Sequence, residues 1–256
     1  MDPAHYEHAA TAMGHGFLSA EVHAAVKVTL PVLQKEYGFK KMYLWGKLKG
    51  MVADYIISVG VSHSLKETTK KYFYCFDGVS WAQMAQPDAA TVEACAKISP
   101  VAKLTGDAQF VYSIVSVVAE GEEPPENEDD LVVKITEDVR AACLVKQIDA
   151  AVSILPVGAI SVDPKLGVPI ANSTFPGLSK EASLALSSWE LLSEMSAQQQ
   201  LAGSLKTKFI PSASLTVVRS LVWPGYSAYC LPGTSAWGSV YVGDGMKNGD
   251  VAFSLP

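Results

Sequence analysis

Residues 215–256 decide the fold class, and they read LTVVRSLVWPGYSAYCLPGTSAWGSVYVGDGMKNGDVAFSLP. Apolar runs rich in β-branched and aromatic residues alternate here with short Pro-Gly and Gly-Asp-Gly turns, which stop a strand and reverse the chain. The runs cover residues 215–223, 226–231, 236–242 and 251–253. Because connections this short join neighbouring antiparallel strands, the stretch predicts a C-terminal β-meander.

A second strand-forming region lies at residues 42–61. Its apolar residues fall on even positions before Gly50 and on odd positions after it. Such a switch predicts a bulge or a tight turn at Gly50. Gly46, beside Trp45, predicts a close approach of another backbone or ring.

Helical signals fill much of the remaining chain. Residues that favour N-caps precede apolar periodicity at three places, and a fourth helix is predicted by periodicity alone. The predicted helices cover residues 19–36, 89–98, 136–155 and 179–195, whereas residues 1–16 read as a mobile tail and residues 197–211 as a polar loop. The chain is therefore predicted to be α+β, with antiparallel sheet and meander elements packed with several α-helices.

The segment 120–130 divides the chain, since it carries seven acidic residues and almost nothing apolar. A segment of this composition cannot bury itself and predicts a solvated loop. The predicted organisation has four parts within one compact domain. These are a flexible tail (1–18), an N-terminal α+β half (19–118), an acidic loop (119–130) and a C-terminal α+β half ending in the meander (131–256).

Composition excludes several classes of protein. The 256 residues are 49% hydrophobic and 18% charged, which is typical of a globular chain. A net charge of −6 argues against binding to nucleic acid, which depends on basic contacts to phosphate. The apolar windows are too interrupted for a membrane span, and we expect no secretory signal. Four widely spaced cysteines in apolar settings fit reduced, packed thiols in the cytoplasm.

The search for chemistry yields no catalytic residue, cofactor site or metal site. Four of the five histidines lie in the first 23 residues, which contain no Cys and few acids, and a polar tail explains them better than a metal site. The sequence lacks a Gly-x-Ser-x-Gly elbow and a phosphate-binding Gly-x-x-x-x-Gly-Lys loop. Asp54 beside Tyr55 has the groups for acid–base work, but a lone strand carboxylate is more often a structural acceptor.

Arg219 lies on an otherwise apolar run, in the same alternation as Leu221 and Trp223. A guanidinium there needs a carboxylate, a carbonyl or an aromatic ring as a partner. Two interpretations stay open. The partner belongs to the same chain, or Arg219 and Trp223 anchor an interface with another protein, where these residue types are enriched.

Three blocks of the sequence resemble the radial spoke head protein family, and most closely its spoke protein 9 subfamily. The blocks are Arg219-Ser220-Leu221-Val222-Trp223-Pro224-Gly225, then Tyr241-Val242-Gly243-Asp244-Gly245 with Lys247-Asn248, and Trp45-Gly46 with Gly50 and Asp54-Tyr55-Ile56-Ile57. The resemblance runs from about residue 38 to residue 256. The related spoke head proteins 4 and 6 share a similar ending.

The resemblance implies a structural subunit of the spoke head in the axoneme of motile cilia and flagella, within the cytoskeleton. It implies assembly with spoke head proteins 4 and 6 and contact with the central pair, without an enzymatic activity or a cofactor. Candidate interface residues are Trp45, Asp54, Tyr55, Arg219, Trp223 and Tyr241. The alternatives are a small cytosolic enzyme using Asp54 or His63, or an unrelated protein-interaction module.

Overall fold

The computed structural model describes residues 1–62, 70–99, 102–115, 132–162, 169–192 and 204–250. The helices in this part of the chain are α1 (Tyr6–Met13), α2 (Ala20–Glu36), α3 (Ala89–Ala96), α4 (Glu137–Val152) and α5 (Lys180–Leu184). The strands are β1 (Lys41–Leu48), β2 (Tyr55–Val61), β3 (Lys70–Cys75), β4 (Ala82–Gln83), β5 (Val111–Val115), β6 (Val132–Thr136), β7 (Ile154–Pro156), β8 (Ile160–Val162), β9 (Pro169–Ala171), β10 (Trp189–Leu191), β11 (Leu205–Ile210), β12 (Leu215–Ser220), β13 (Tyr226–Cys230) and β14 (Trp237–Gly243).

Eight strands form one mixed sheet in the order β11-β12-β13-β14-β1-β2-β3-β4. Strands β12, β13 and β14 pair antiparallel in succession, which confirms the predicted meander. The fourth predicted run, residues 251–253, lies outside the described residues. Together with the helices, the sheet confirms the predicted α+β class.

Strands β1 and β14 join the two halves of the chain, and theirs is the parallel pair of this sheet. Four strands on one side come from the N-terminal half and four on the other side from the C-terminal half. Strand order therefore makes both halves parts of one sheet. The boundary at the acidic segment stays a prediction, because residues 119–130 lie outside the described part.

Both faces of the sheet are covered. On one face, α1 and α2 pack on the sheet in a cluster that includes Ala9, Leu30, Leu44, Val217 and Tyr229, called here the α1–α2 cluster. On the other face, α4, β7 and β10 pack in a cluster that includes Leu48, Ile57, Val145, Trp189 and Tyr241, called here the α4 cluster. Apolar residues of the chain are thus buried on both faces of the sheet.

Within residues 42–61, the apolar side chains change from one face of the sheet to the other earlier than predicted. The register of β1 against β2 shifts between Leu44 and Gly46, so that Leu44 faces the α1–α2 cluster and Leu48 the α4 cluster. Gly50 lies in the turn between the strands, as predicted. The prediction missed the bulge because an extra residue in a strand leaves only a weak trace in an apolar run.

The prediction of a mobile N-terminal tail is wrong for most of its length. Residues Pro3–His5 form a 3₁₀ turn, and α1 follows it. The helix buries Tyr6, Ala9 and Ala12 against the meander, since small side chains at this spacing let it approach the sheet closely. It ends at Gly14, whose φ of 86° is the left-handed conformation that glycine tolerates.

Three predicted boundaries also need correction. Strand β11 occupies part of the predicted loop, where Leu205, Thr207 and Phe209 alternate with lysines. The helix that Ser179 caps is short, because Trp189 is buried as the first residue of strand β10. Strand β12 ends at Ser220, before the turn that carries Trp223.

Candidate functional site

The carboxylate of Glu137 is a centre around which four segments meet. Glu137 is the first residue of α4 and is fully buried. Its oxygens accept hydrogen bonds from the hydroxyls of Tyr55 at 2.8 Å and Tyr112 at 2.6 Å. They also accept from Thr105, through its N–H at 2.6 Å and its hydroxyl at 2.9 Å, and from the N–H of Gly106 at 2.7 Å. One side chain thus ties β2, β5, α4 and the segment before β5 together.

These donors hold Glu137 in its charged form. Burial by itself raises the pKa of a carboxyl group, but the hydrogen bonds outweigh it, and the pKa of Glu137 lies below its usual value. The position at the N-terminus of α4 also favours negative charge. Conversely, burial and the bond to Glu137 raise the pKa of Tyr112 to about 12, so the phenol stays protonated and donates.

A second carboxylate, that of Asp149, is largely buried and lies about three turns along α4. It accepts hydrogen bonds from the indole N–H of Trp45 at 2.8 Å and the hydroxyl of Tyr72 at 2.5 Å, and it pairs with the Lys70 ammonium at 2.7 Å. Burial raises the pKa of Asp149, but the Lys70 charge and the hydrogen-bond donors lower it by more. The pKa therefore lies below its usual value. Asp149 therefore fixes α4 to β1 and β3.

Both carboxylates were missed by the sequence reasoning, although a signal was present. On α4 the core-facing positions include Ala141, Val145 and Val152. Glu137 lies four residues before the first of these, and Asp149 lies between the last two at helical spacing. An acid on the apolar stripe of a helix marks a buried carboxylate that needs several donors.

Four of the six predicted interface residues are placed in the interior, namely Trp45, Tyr55, Trp223 and Tyr241. Trp45 and Tyr55 donate to the two carboxylates, and the Tyr241 hydroxyl accepts from the N–H of Gly245 at 3.0 Å. Trp223 packs in the α4 cluster. A role for these four residues in an interface stays a proposal. It would require the chain to rearrange so that they reach the surface, whereas an internal role requires no change.

Asp54 and Arg219 keep exposed surface. The Asp54 carboxylate pairs with Lys47 at 2.9 Å and accepts from the N–H of Gly50 at 3.2 Å, so it stabilises the β1–β2 turn. Arg219 donates to the carbonyl oxygen of Ala12 at 2.7 Å. This carbonyl belongs to the last turn of α1, where a cation is favourable. Of the partners considered for Arg219, the carbonyl of the same chain is observed.

Arg219 and Trp223 do not share a strand face, which corrects the sequence prediction. We expect Arg219→Ala to cost about 1 kcal/mol, since the bond is partly exposed and α1 keeps its apolar contacts. Trp223→Ala should cost about 3–5 kcal/mol, because it opens a cavity in the α4 cluster. Thermal melts of both variants measure the contrast. Equal losses of stability would contradict the assigned roles.

The described residues bear on the enzyme alternative at two points. Among them, no three His, Cys, Asp or Glu side chains come close enough together to hold a metal ion. Asp54 is held by Lys47, and His63 lies outside the described ranges.

None of the helices in the described part is both long and apolar enough to cross a membrane.

The β1–β2 turn carries Val52, the most exposed large apolar side chain of the described surface. Val52 is 88% exposed, and the adjacent Met51 is 66% exposed. Backbone N–H groups of both residues donate to carbonyl oxygens, Met51 to Leu104 at 2.9 Å and Val52 to Thr105 at 2.8 Å. Thr105 is in turn bonded to Glu137. The turn is therefore held rigidly while its side chains face solvent.

Close contacts between backbones hold this turn in place. A Cβ on Gly50 would lie 2.1 Å from the carbonyl oxygen of Ala53, and one on Gly106 would lie 2.4 Å from the same oxygen. Only glycine permits such an approach. The sequence reasoning singled out Gly50 for its turn but did not identify Val52 as a surface feature.

Comparison with known proteins identifies relatives over nearly the whole chain. A family profile described as "Radial spokehead-like protein" matches residues 117–256. The human and mouse proteins named "Radial spoke head protein 9 homolog" are each 31% identical to this chain, over 96% of both chains. The zebrafish protein of the same name is 28% identical over 99% of both chains.

Proposed function

The chain belongs to the radial spokehead-like family, and from this membership we propose that it is a structural subunit of the radial spoke head in the axoneme of motile cilia or flagella. The observation that carries the proposal is the match to relatives named for the spoke head over 96% of both chains. A match of this extent covers the meander, α4 and the β1–β14 joint together. It thus concerns the whole fold and not a shared short motif.

The finer proposal is that the chain assembles with spoke head proteins 4 and 6 and, through them, passes signals from the central pair to the dyneins. The described structure supports a scaffolding role. Its buried polar groups are used to fix segments to one another, as at Glu137 and Asp149. A scaffold that transmits force needs such internal ties, because a loosely packed subunit would deform.

We propose that the turn bearing Met51 and Val52 docks against an apolar surface of a spoke head protein 4- or 6-like subunit. A rigid, exposed apolar side chain loses little conformational freedom when it is buried by a partner. The rigid backbone bonds to Leu104 and Thr105 favour this turn over a mobile loop as an anchor.

Capture from axonemal extract tests the proposed function. The full chain, carrying an affinity tag, is incubated with salt-extracted axonemal proteins, and the bound proteins are identified by mass spectrometry. We expect spoke head proteins 4 and 6 to be enriched over a tag-only control. Capture without any radial spoke subunit would overturn the proposal.

The substitution Val52→Asp tests the docking turn. Because Val52 is 88% exposed, the change should leave the thermal midpoint within about 2 °C of the wild type. A carboxylate buried in an apolar contact is costly, so binding to a spoke head protein 4- or 6-like subunit should weaken at least about tenfold. Titration calorimetry or pull-down with purified subunits measures the change.

Val157→Asp is the matched control, since Val157 is also an exposed valine in a turn but follows β7. It should bind like the wild type. If Val52→Asp also binds like the wild type, the partner contacts another surface, and the docking proposal fails while the family assignment stands.

A further inference from the structure

Two of the four cysteines lie together, which their spacing in the sequence does not suggest. All four are buried free thiols. Cys95 on α3 and Cys143 on α4 form a small separate cluster with Ile135 of β6. Cys75 belongs instead to the α1–α2 cluster and Cys230 to the α4 cluster. The chain thus contains one thiol pair and two thiols placed apart from it.

The paired thiols differ in character. The neighbouring Cys143 thiol is the largest influence on the pKa of Cys95 and lowers it, burial opposes this effect, and the positive charge of Arg140 also lowers the pKa. The Cys95 thiol, together with burial, raises the pKa of Cys143. Cys95 therefore has the greater thiolate character, and Cys143 keeps its proton. A thiol with a lowered pKa beside a thiol with a raised pKa is the arrangement found in reactive dithiols.

Arg140 strengthens this asymmetry because it is held beside the pair. It lies on α4, three residues before Cys143, and is almost fully buried. Its guanidinium carbon lies 4.7 Å from the ring centroid of Tyr112, and one nitrogen donates to the carbonyl oxygen of Ala102. The other terminal nitrogen, Nη1, has no hydrogen-bond partner among the described residues. A buried cation with an unused donor favours an anion nearby.

We propose that Cys95 and Cys143 are a peroxide-sensitive dithiol that closes into a disulfide between α3 and α4. In the first step the Cys95 sulfur attacks hydrogen peroxide, the O–O bond breaks, and a sulfenic acid and one water form. In the second step the Cys143 sulfur attacks the Cys95 sulfur, the S–O bond breaks, and a second water leaves. Two thiols are oxidised, and one peroxide is reduced to two waters.

The other two thiols serve as internal controls. Burial raises the pKa of Cys75 to about 12 and that of Cys230 to about 12, so both stay protonated at neutral pH. Since the thiolate reacts with peroxide, they should react slowly. The disulfide would tie the short helix α3 to α4, and through α4 to the Glu137 and Asp149 centres. This inference does not depend on the proposed function.

Peptide mapping of the full chain tests the proposal. The purified, reduced protein is exposed to hydrogen peroxide for increasing times and its remaining thiols are alkylated. We expect a peptide pair joined by a disulfide between Cys95 and Cys143. Their free thiols should disappear at least about tenfold faster than those of Cys75 and Cys230. Reduction with dithiothreitol should restore both thiols.

Two variants sharpen the result. In Cys95→Ser, Cys143 should stay alkylatable after peroxide, because its partner is absent, whereas in Cys75→Ser the disulfide should form at the wild-type rate. The wild-type map stands by itself if a variant fails to fold. Equal oxidation of all four thiols, or oxidation of Cys95 and Cys143 to acids without a link between them, would overturn the proposal.

Discussion

Replacing Glu137 with alanine is expected to lower the free energy of unfolding by about 3–5 kcal/mol, among the largest effects of any single substitution in this chain. The change removes the acceptor of five hydrogen bonds. The hydroxyls of Tyr55 and Tyr112 and the N–H groups of Thr105 and Gly106 would be left without it. An unsatisfied buried donor costs about 1–3 kcal/mol before any relaxation.

Chemical denaturation of the full chain measures this loss. Glu93→Ala is the control, since Glu93 is an exposed glutamate on α3 and its loss should change stability by less than about 0.5 kcal/mol. Glu137→Gln keeps one acceptor oxygen and should fall between the wild type and Glu137→Ala. If Glu137→Ala unfolds at the same denaturant concentration as Glu93→Ala, the carboxylate does not organise the four segments.

Acidification should reveal the same carboxylate. The pKa of Glu137 is lower in the folded chain than its usual value of 4.5, so the unfolded chain takes up the proton first. The stabilisation is present above that value and is lost as the pH falls through the folded pKa. Stability measured from pH 7 to pH 3 should therefore drop less steeply for Glu137→Gln than for the wild type. Parallel pH profiles would contradict this assignment.

Gly46→Ala is expected to cost about 3 kcal/mol or more, because it disrupts the joint between β1 and β14. A Cβ at this position would lie 2.0 Å from the carbonyl oxygen of Tyr241 and 2.8 Å from its backbone nitrogen. These are backbone atoms of the paired strand, so no side-chain rotation relieves the contact. The φ of Gly46 is 149°, which adds backbone strain for any other residue.

Gly233→Ala measures the cost of the left-handed backbone conformation without a steric contact. Gly233 also has a positive φ, 76°, but a Cβ there would meet nothing within 4 Å. That variant should lose only about 1–2 kcal/mol, the cost of the left-handed conformation alone. Denaturation curves of both variants give the comparison. If the two lose equal stability, the tight β1–β14 approach does not limit the fold.

The parts of the fold that could be predicted from sequence depend on local signals. Turn residues mark the ends of β13 and β14, and the capping residues Ser19 and Asp88 mark the starts of two helices. The β1–β14 pair could not be predicted in this way, because its partners are distant in the chain and Gly46 shows only that something comes close. Helix α1 was missed because its stripe consists mostly of alanine, which carries little hydrophobic signal.

The signature residues of the family were found from sequence, but the burial of four of them within the chain was not. Trp45 and Tyr55 are aromatic residues with a polar atom, a type common in interfaces and equally common as buried donors. The positions of Asp149 and Glu137 show that both aromatic residues donate within the chain, and both carboxylates reach these partners across long distances in sequence. Arg219 was ambiguous for the same reason, since its carbonyl partner belongs to a helix read as a mobile tail.

Electron cryotomography of axonemes from cells that lack this chain tests the central proposal most directly. We expect the density of the radial spoke heads to be lost or strongly reduced, while the outer doublets and the spoke stalks attached to them remain. Expression of the wild-type chain should restore the heads. Spoke heads of normal size and shape in the absence of the chain would contradict its role as a structural subunit of the spoke head.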